Sequence, residues 1–320
     1  MASPNSTFTE IVTTTLRNHP SEIADNVSDH NGLYRRLKEK GQIRALSGGY
    51  EIVRPLDYAE NATYQRYSGY DTLNVSASDV LSAAKYDWVQ AAVHVTASGR
   101  ELRMNSGREA MINLVKARLT NAKRTAANNM SVDLYSTGAL TNQMGGLGHI
   151  VTSAGTGTVG GIDSSTYSFW ANNFFEATAT PSASNIKGFM QSMWLELVRG
   201  TDMPDLIVGS NDMYGFYWDA LTDLQRFAGM ADRQGYAGNS LKFHNADVIH
   251  DNNTNFGATA KVMYFLNTDY IELVSHRSAN WSTLDEKMSV NQDAEVVPII
   301  WMGNLTCSNR SLQGKLIDEA

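Results

Sequence analysis

Four groupings in the sequence have residue types and spacing that could do chemistry. Gly155-Thr156-Gly157-Thr158-Val159-Gly160 repeats, as a string, the glycine spacing of a dinucleotide-binding turn. That chemistry needs the glycines to open a helix whose N-terminus holds a pyrophosphate. The next residues, Gly161 to Ser165, do not read as a helix, and only the short His149-Ile150-Val151 precedes the string. It reads as a turn. Asp251, Asn253 and Asn255 take the first, third and fifth places of a calcium loop, but Phe256 stands where glycine is needed and Val262 where glutamate is needed. This reads as a hairpin turn. His244 and His250 can share a strand face, yet no third ligand is evident, so they read as surface histidines. Carboxylates are scattered, and spacing alone leaves a glycosidase-type pair open. There is no Gly-x-Ser-x-Gly, His-Glu-x-x-His or phosphate-loop lysine. Asn-x-Ser/Thr strings at Asn5, Asn61 and Asn280 mean only a polar composition. The expectation is no catalytic, cofactor-binding or metal-binding residue.

Composition narrows the class. A chain of 320 residues with 42% hydrophobic side chains can build a sizeable core, as two packed subdomains or one elaborated domain. The single cysteine, Cys307, excludes a disulfide scaffold and multi-cysteine metal sites. A net charge of −7 disfavours a phosphate-binding face. Charged residues are 18% of the chain, below the usual level of about 25%, so Asn, Ser, Thr and Gln must cover much of the surface. Such a surface often lies against partners. No apolar run is long enough to span a membrane, and Met1-Ala2-Ser3-Pro4-Asn5 lacks the pattern of a secretory signal.

The elements that would position anything are more informative. Thr7 with Glu10 has capping-box spacing ahead of Ile11, Val12 and Leu16, and Pro20 ends that segment. Leu33, Tyr34 and Leu37 recur at helical spacing, with Gly41 as a stop. These pieces read as a surface helix pair or as an arm that docks on something else. Tyr50 to Arg54 reads as a strand limited by Pro55, and Trp88 to Thr96 as a second strand. Between them lies a polar stretch with Tyr64, Tyr67 and Tyr70 but no core pattern, which suits a functional loop or one packed on another subunit. Over residues 105–136 the spacing predicts a helix about 45 Å long, opened by Ser106-Gly107-Arg108-Glu109. Its apolar stripe (Met111, Leu114, Val115, Ala122, Ala126 and Met130) is narrow, so it needs a sheet or another subunit beneath it. A strong amphipathic helix from Ile186 to Val198, a buried strand at Asp205 to Gly209 and a helix carrying Tyr214, Tyr217 and Trp218 follow. The remainder is strand-like, and the class is α+β.

This order resembles the major capsid proteins of tailed bacteriophages, the Hong Kong 97-type coat fold. The phrases that carry the resemblance are Leu46-Ser47-Gly48-Gly49-Tyr50-Glu51-Ile52, Tyr67-Ser68-Gly69-Tyr70-Asp71, Tyr86-Asp87-Trp88 and Gly99-Arg100-Glu101-Leu102-Arg103-Met104-Asn105. Near the end, Asp293 to Leu305 is similar to the returning strand of such a coat.

The resemblance implies an N-terminal arm (1–46), an extended β-hairpin loop with its base strands (47–97) and a peripheral domain with a spine helix (98–140). It also implies an axial domain (141–284) and a return to the peripheral domain (285–320). It implies pentamers and hexamers in an icosahedral or prolate head around double-stranded DNA, which the acidic balance would let slide without sequence-specific binding. Phe8, Ile11, Leu16, Tyr64, Arg66, Tyr67, Tyr70, Arg108 and Glu109 are the expected inter-subunit contacts. The short arm points to a separate scaffolding protein. A portal is the other expected partner, with room for a cement protein outside, and the location is the virion shell, assembled in the host cytoplasm. Residues 55–84 hold no lysine, and Lys85 lies at the loop's base, so the shell is expected to lack isopeptide crosslinks. The competing readings are a carboxylate-dependent hydrolase, which would need converging acids in a deep pocket, and a carbohydrate-binding surface protein using Tyr64, Tyr67 and Tyr70.

Overall fold

The computed structural model describes residues 31–104, 108–225, 241–251, 261–284, 287–288 and 293–318. The expectations for Phe8, Ile11 and Leu16, and for the loop beyond Asp251, lie outside them. So do Ser106 and Gly107 and the side chains of Arg108 and Glu109, whose backbones open the long helix.

Two sheets organise the chain. The first has five strands. Ile271–Thr283 and Ala294–Cys307 form a long antiparallel pair; Ile43–Leu46 adds in parallel to the former, and Val89–Ser98 and Lys287–Met288 pair with the latter. Val89–Ser98 alternates as its sequence predicts, with Val95 and Ala97 buried between exposed His94 and Thr96. The spine helix, Arg108–Leu134, lies on that face, where Ala122 meets Val95 and Ile299. Its small residues bring it close to the sheet. Gly146, which folds back onto the helix end, has no room for a side chain, since a Cβ would collide with the Asp133 and Leu134 carbonyl oxygens.

The second sheet has six strands in the order Asn173–Glu176, Gly314–Asp318, Lys261–Leu266, Leu206–Gly209, Ala246–His250, Leu241–Phe243. Both faces are covered, which is why Leu206–Gly209 is a continuous apolar run rather than an alternating one. Ile207, Phe265 and Leu316 face the helices Ile186–Leu197 and Asn211–Gln225. Leu206, Val208 and Leu266 face a larger core with Leu147, Ile150 and Trp170. Leu33 and Leu37 of the helix Gly32–Glu39 enter that core, and Gly41 ends the helix at φ +71° as expected. Arg36 and Lys40 fasten it to Asp205, which also accepts from the Thr268 N–H and hydroxyl.

One expectation is corrected. Pro55 does not limit its strand but sits inside Ile52–Asp57, opposite Ala83 of Leu81–Tyr86. The two strands form a two-stranded ribbon, so a missing N–H costs nothing on its outer edge. The C-terminal strands divide between the two sheets. Ile271–Thr283 belongs with Ala294–Cys307, whereas Gly314–Asp318 returns to the six-stranded sheet. Alternation reveals a strand but not which sheet receives it.

A reciprocal cap is visible ahead of the spine helix. The Ser98 N–H donates to Glu101 Oε2 (3.1 Å) and the Glu101 N–H donates to Ser98 Oγ (3.3 Å), ahead of the short helix Gly99–Met104. Arg118 of the spine helix binds the same carboxylate and the Thr96 carbonyl. The Arg118 hydrogen bond, with that of Ser98, holds the Glu101 pKa below the usual carboxylate range. A group with a depressed folded pKa stabilises fully above its unfolded value, and the effect disappears as pH falls through the folded one. Glu101→Gln keeps the capping geometry and loses the ion pair with Arg118, which should cost about 0.2–1 kcal/mol at neutral pH. It should also flatten the acid limb of stability, as read by urea titration between neutral pH and the acid range.

Candidate functional site

The groupings with chemical spacing do not assemble into a reactive centre. The glycine string forms a hairpin, Thr158–Val159 with Ile162–Asp163, turned by Gly160 and Gly161 at φ +60° and +76°. No helix follows it to hold a phosphate. His244 stacks on Trp194 and meets Gln191 Oε1 at 2.8 Å, while His250 packs on Tyr214. Among the described residues no three His, Cys, Asp or Glu side chains converge. Asn61 is occupied locally, accepting from Thr63 and Ser78.

Three cavities also lack paired acids at depth. A polar cavity of about 730 Å³ at the base of the loop is lined by Lys85, Trp88, His149 and Asn304, with Asp87 as its one carboxylate. Asp57 and Glu60 share a shallow depression and are both exposed. The third opening is an apolar groove of about 450 Å³ against the spine helix, lined by Tyr34, Ala126, Ala127, Met130, Trp281 and Ile299 among others.

The perturbed groups are structural. Arg310 is fully buried, with no carboxylate partner among the described residues. Its guanidinium donates to the carbonyls of Ile150 (2.5 Å) and Trp170 (3.3 Å), to Thr152 Oγ1 (3.1 Å) and to Asn172 Oδ1 (2.9 Å). Burial lowers its pKa, partly offset by Cys307 and Tyr86. Burial also raises Tyr86, whose hydroxyl donates to the Cys307 carbonyl at 2.9 Å. The same burial pushes the Cys307 thiol up to about 12. A maleimide at pH 8 should leave native Cys307 unmodified and label it fully in denaturant, since only the thiolate reacts.

What stands apart is a surface. None of residues 57–83 is buried. Tyr64 (81% exposed), Tyr67 (65%) and Tyr70 (106%) project from one loop, joined by Leu73, Val75 and Leu81. The loop's hydrogen bonds are its own: Gln65 to the Thr72 carbonyl, Asp71 from the Ser68 N–H, Ser78 to Asn61. Large apolar side chains gathered on an exposed loop call for a functional explanation. Of the expected contacts, Tyr64, Arg66, Tyr67 and Tyr70 lie together on this exposed loop. The groove beside the spine helix and the Arg310 cluster were not foreseen. Both depend on residues far apart in sequence.

The fold has close counterparts. The capsid subunit of cyanophage A-1(L) superposes with a TM-score of 0.64 over 97% of this chain and 99% of its own, at 13% identity. The capsid of a native GTA particle matches at 0.59 over 94% and 95%, at 10% identity. This is the Hong Kong 97-type capsid fold. An encapsulin, SrpI of Synechococcus elongatus, shares it at 0.59 over 97% and 95%, with 7% identity. By sequence, no family model and no curated protein matches the chain. The Hong Kong 97-type fold is thus carried here by a sequence only 7–13% identical to those structures. The sequence expectation of α+β architecture with a spine helix holds.

Proposed function

We propose that this chain is the major capsid protein of a tailed-phage head, assembling into pentamers and hexamers around double-stranded DNA. The observation that carries the proposal is the loop at 57–83, rich in tyrosine and without a buried residue, on a fold that the matched structures use as a capsid subunit. Tyr64, Arg66, Tyr67 and Tyr70 then bind the next subunit of the capsomer. Phe8, Ile11 and Leu16 act through the N-terminal arm, and Arg108 and Glu109 at the start of the spine helix. The five-stranded sheet with the spine helix is the peripheral domain, and the six-stranded sheet is the axial domain. Many modest contacts repeated by symmetry stabilise such a shell. The net charge of −7 suits a wall past which DNA slides without adhering. A scaffolding protein and a portal complete the assembly. The role is structural rather than catalytic, and the place is the virion shell.

The test is negative-stain electron microscopy with light scattering on purified protein, alone and with a crowding agent. Closed shells, tubes or rings of five or six are expected. A persistent monomer under both conditions, and also when the chain is produced together with its scaffolding protein, overturns the reading. Recovery of shells filled with a protein cargo and no nucleic acid from the producing cell would favour the encapsulin use of the fold instead. Lys85 is half-spent on Glu51 (3.6 Å) at the ribbon's base, away from the loop tip. Assembled shells boiled in detergent should run wholly at the monomer position.

A further inference from the structure

The apolar groove beside the spine helix is built like a ligand site rather than like loose packing. Its volume of about 450 Å³ lies in the range of such sites, about 300–1,000 Å³. Ala126, Ala127, Met130 and Leu134 of the spine helix line it together with Trp281 and Ile299 of the five-stranded sheet. Among the described residues no acidic side chain lines it.

The backbone at Trp281 shows that this wall is specified. Where Ile271–Thr283 pairs with Ala294–Cys307, Asn280 opposes Trp301 and Ser282 opposes Ile300. Trp281 is therefore the extra residue of a β-bulge, a device that re-aims a side chain. Its backbone is left-handed, at φ +51°, which a bulky residue adopts only where its surroundings impose it. Ser282 Oγ donates to the Ser278 carbonyl at 2.8 Å across the bulge, and the indole stacks on Trp301 with ring centroids 6.0 Å apart. Strain of this kind gathers at ligand clamps, and here the strained residue is a wall of the groove.

The polar groups of the lining set the charge of what fits. Arg35 is spent on Glu39 at 2.8 Å, and Asn31 on Ser131 and the Tyr34 N–H. Exposed Lys123 has no ion pair among the described residues, and the Tyr34 hydroxyl has no hydrogen bond among them. An apolar body with a free cation at its rim and no acid matches one alkyl chain with one anionic head. A cationic head would find no partner in this lining.

We propose that the groove binds a single-chain anionic amphiphile of the fatty-acid class, with the chain between Met130 and Trp281 and the carboxylate at Lys123. The site lies within one subunit, so it is read without a shell and stands apart from the assembly reading.

Isothermal titration calorimetry of the unassembled full chain with dodecanoate, below its micelle concentration, tests it. One saturable site per chain is expected. Kd should fall about fourfold per methylene from octanoate to dodecanoate, the gain for burying each CH2. Dodecyltrimethylammonium should bind more weakly than dodecanoate. Lys123→Glu, at an exposed position, should weaken dodecanoate about tenfold, because an attraction becomes a repulsion of similar size, and should reverse the preference for the anion. Ala127→Trp fills the groove from the spine helix and should abolish binding of both amphiphiles at unchanged circular dichroism. Absence of saturable binding would overturn the proposal. So would a Kd indifferent to chain length, or an unchanged preference in Lys123→Glu, since either means adsorption to apolar surface elsewhere. If Ala127→Trp fails to fold, the charge reversal at Lys123 still decides.

Discussion

Arg310→Met should lower the unfolding free energy of the subunit by about 2–4 kcal/mol, the order expected when two or more buried acceptors lose their donor. The substitution keeps length and apolar volume, so packing is nearly conserved and the effect isolates the donors. In the native fold the guanidinium lies among carbonyl and side-chain oxygens from the segment 150–172, with no anion among the described residues to neutralise it. Without it, the Ile150 and Trp170 carbonyls lose this donor in an interior that water cannot enter freely, and each orphan costs about 1–3 kcal/mol. Relief of the cation's own desolvation offsets part of that sum, which is why the total is not larger. Lysine is no substitute, because one ammonium cannot fork to acceptors on several sides. Urea denaturation of the unassembled subunit reads the loss. The glycine-rich hairpin at 158–163 should also become open to proteolysis before the rest unfolds. A change below about 1 kcal/mol would mean that the cluster is satisfied by entering water and is not what locks the hairpin.

The sequence made some of this legible and hid the rest for physical reasons. Local periodicity exposed the elements that rely on their own pattern: the strand around Val93 and Val95, the helix from Ile186, the long helix over 108–134. The polar stretch around Tyr64 and Tyr70 was readable as lying outside the core because its tyrosines follow no core pattern, and they are exposed. Sheet membership was not readable, since Gly314–Asp318 and Ala294–Cys307 look alike as strands and differ only in distant partners. Arg310 looked like an ordinary charge near the C-terminus. Its acceptors lie 138 to 160 positions away, and no local signal announces them. Pro55 misled because the rule against proline applies to paired edges, and a two-stranded ribbon has a free one.

The loop itself should be dispensable to the subunit and indispensable to the shell. Replacing residues 60–80 with a short Gly/Ser link removes no buried side chain, because that segment has none. It cuts only hydrogen bonds internal to the loop. Shortening the connection lowers its closure entropy by about 0.6 kcal/mol per halving, so the subunit should be as stable as before or slightly more so. Assembly responds in the opposite sense. Each exposed tyrosine buried at a well-packed contact contributes at least about 1 kcal/mol, and Tyr64, Tyr67 and Tyr70 act together. Three such losses raise the concentration needed for assembly more than about a hundredfold, since each 1.4 kcal/mol is tenfold. The deletion adds the loss of Leu73 and Val75, and closed shells should vanish at any practical concentration while circular dichroism and urea midpoint stay in place. The triple variant Tyr64→Ser, Tyr67→Ser, Tyr70→Ser should show the intermediate effect, a raised light-scattering threshold with shells of normal shape above it. Normal thresholds for both variants would sink the assignment of this loop to subunit contact, even if shells form. Loss of folding in either would mean that the loop holds its own subunit together, contrary to its exposure.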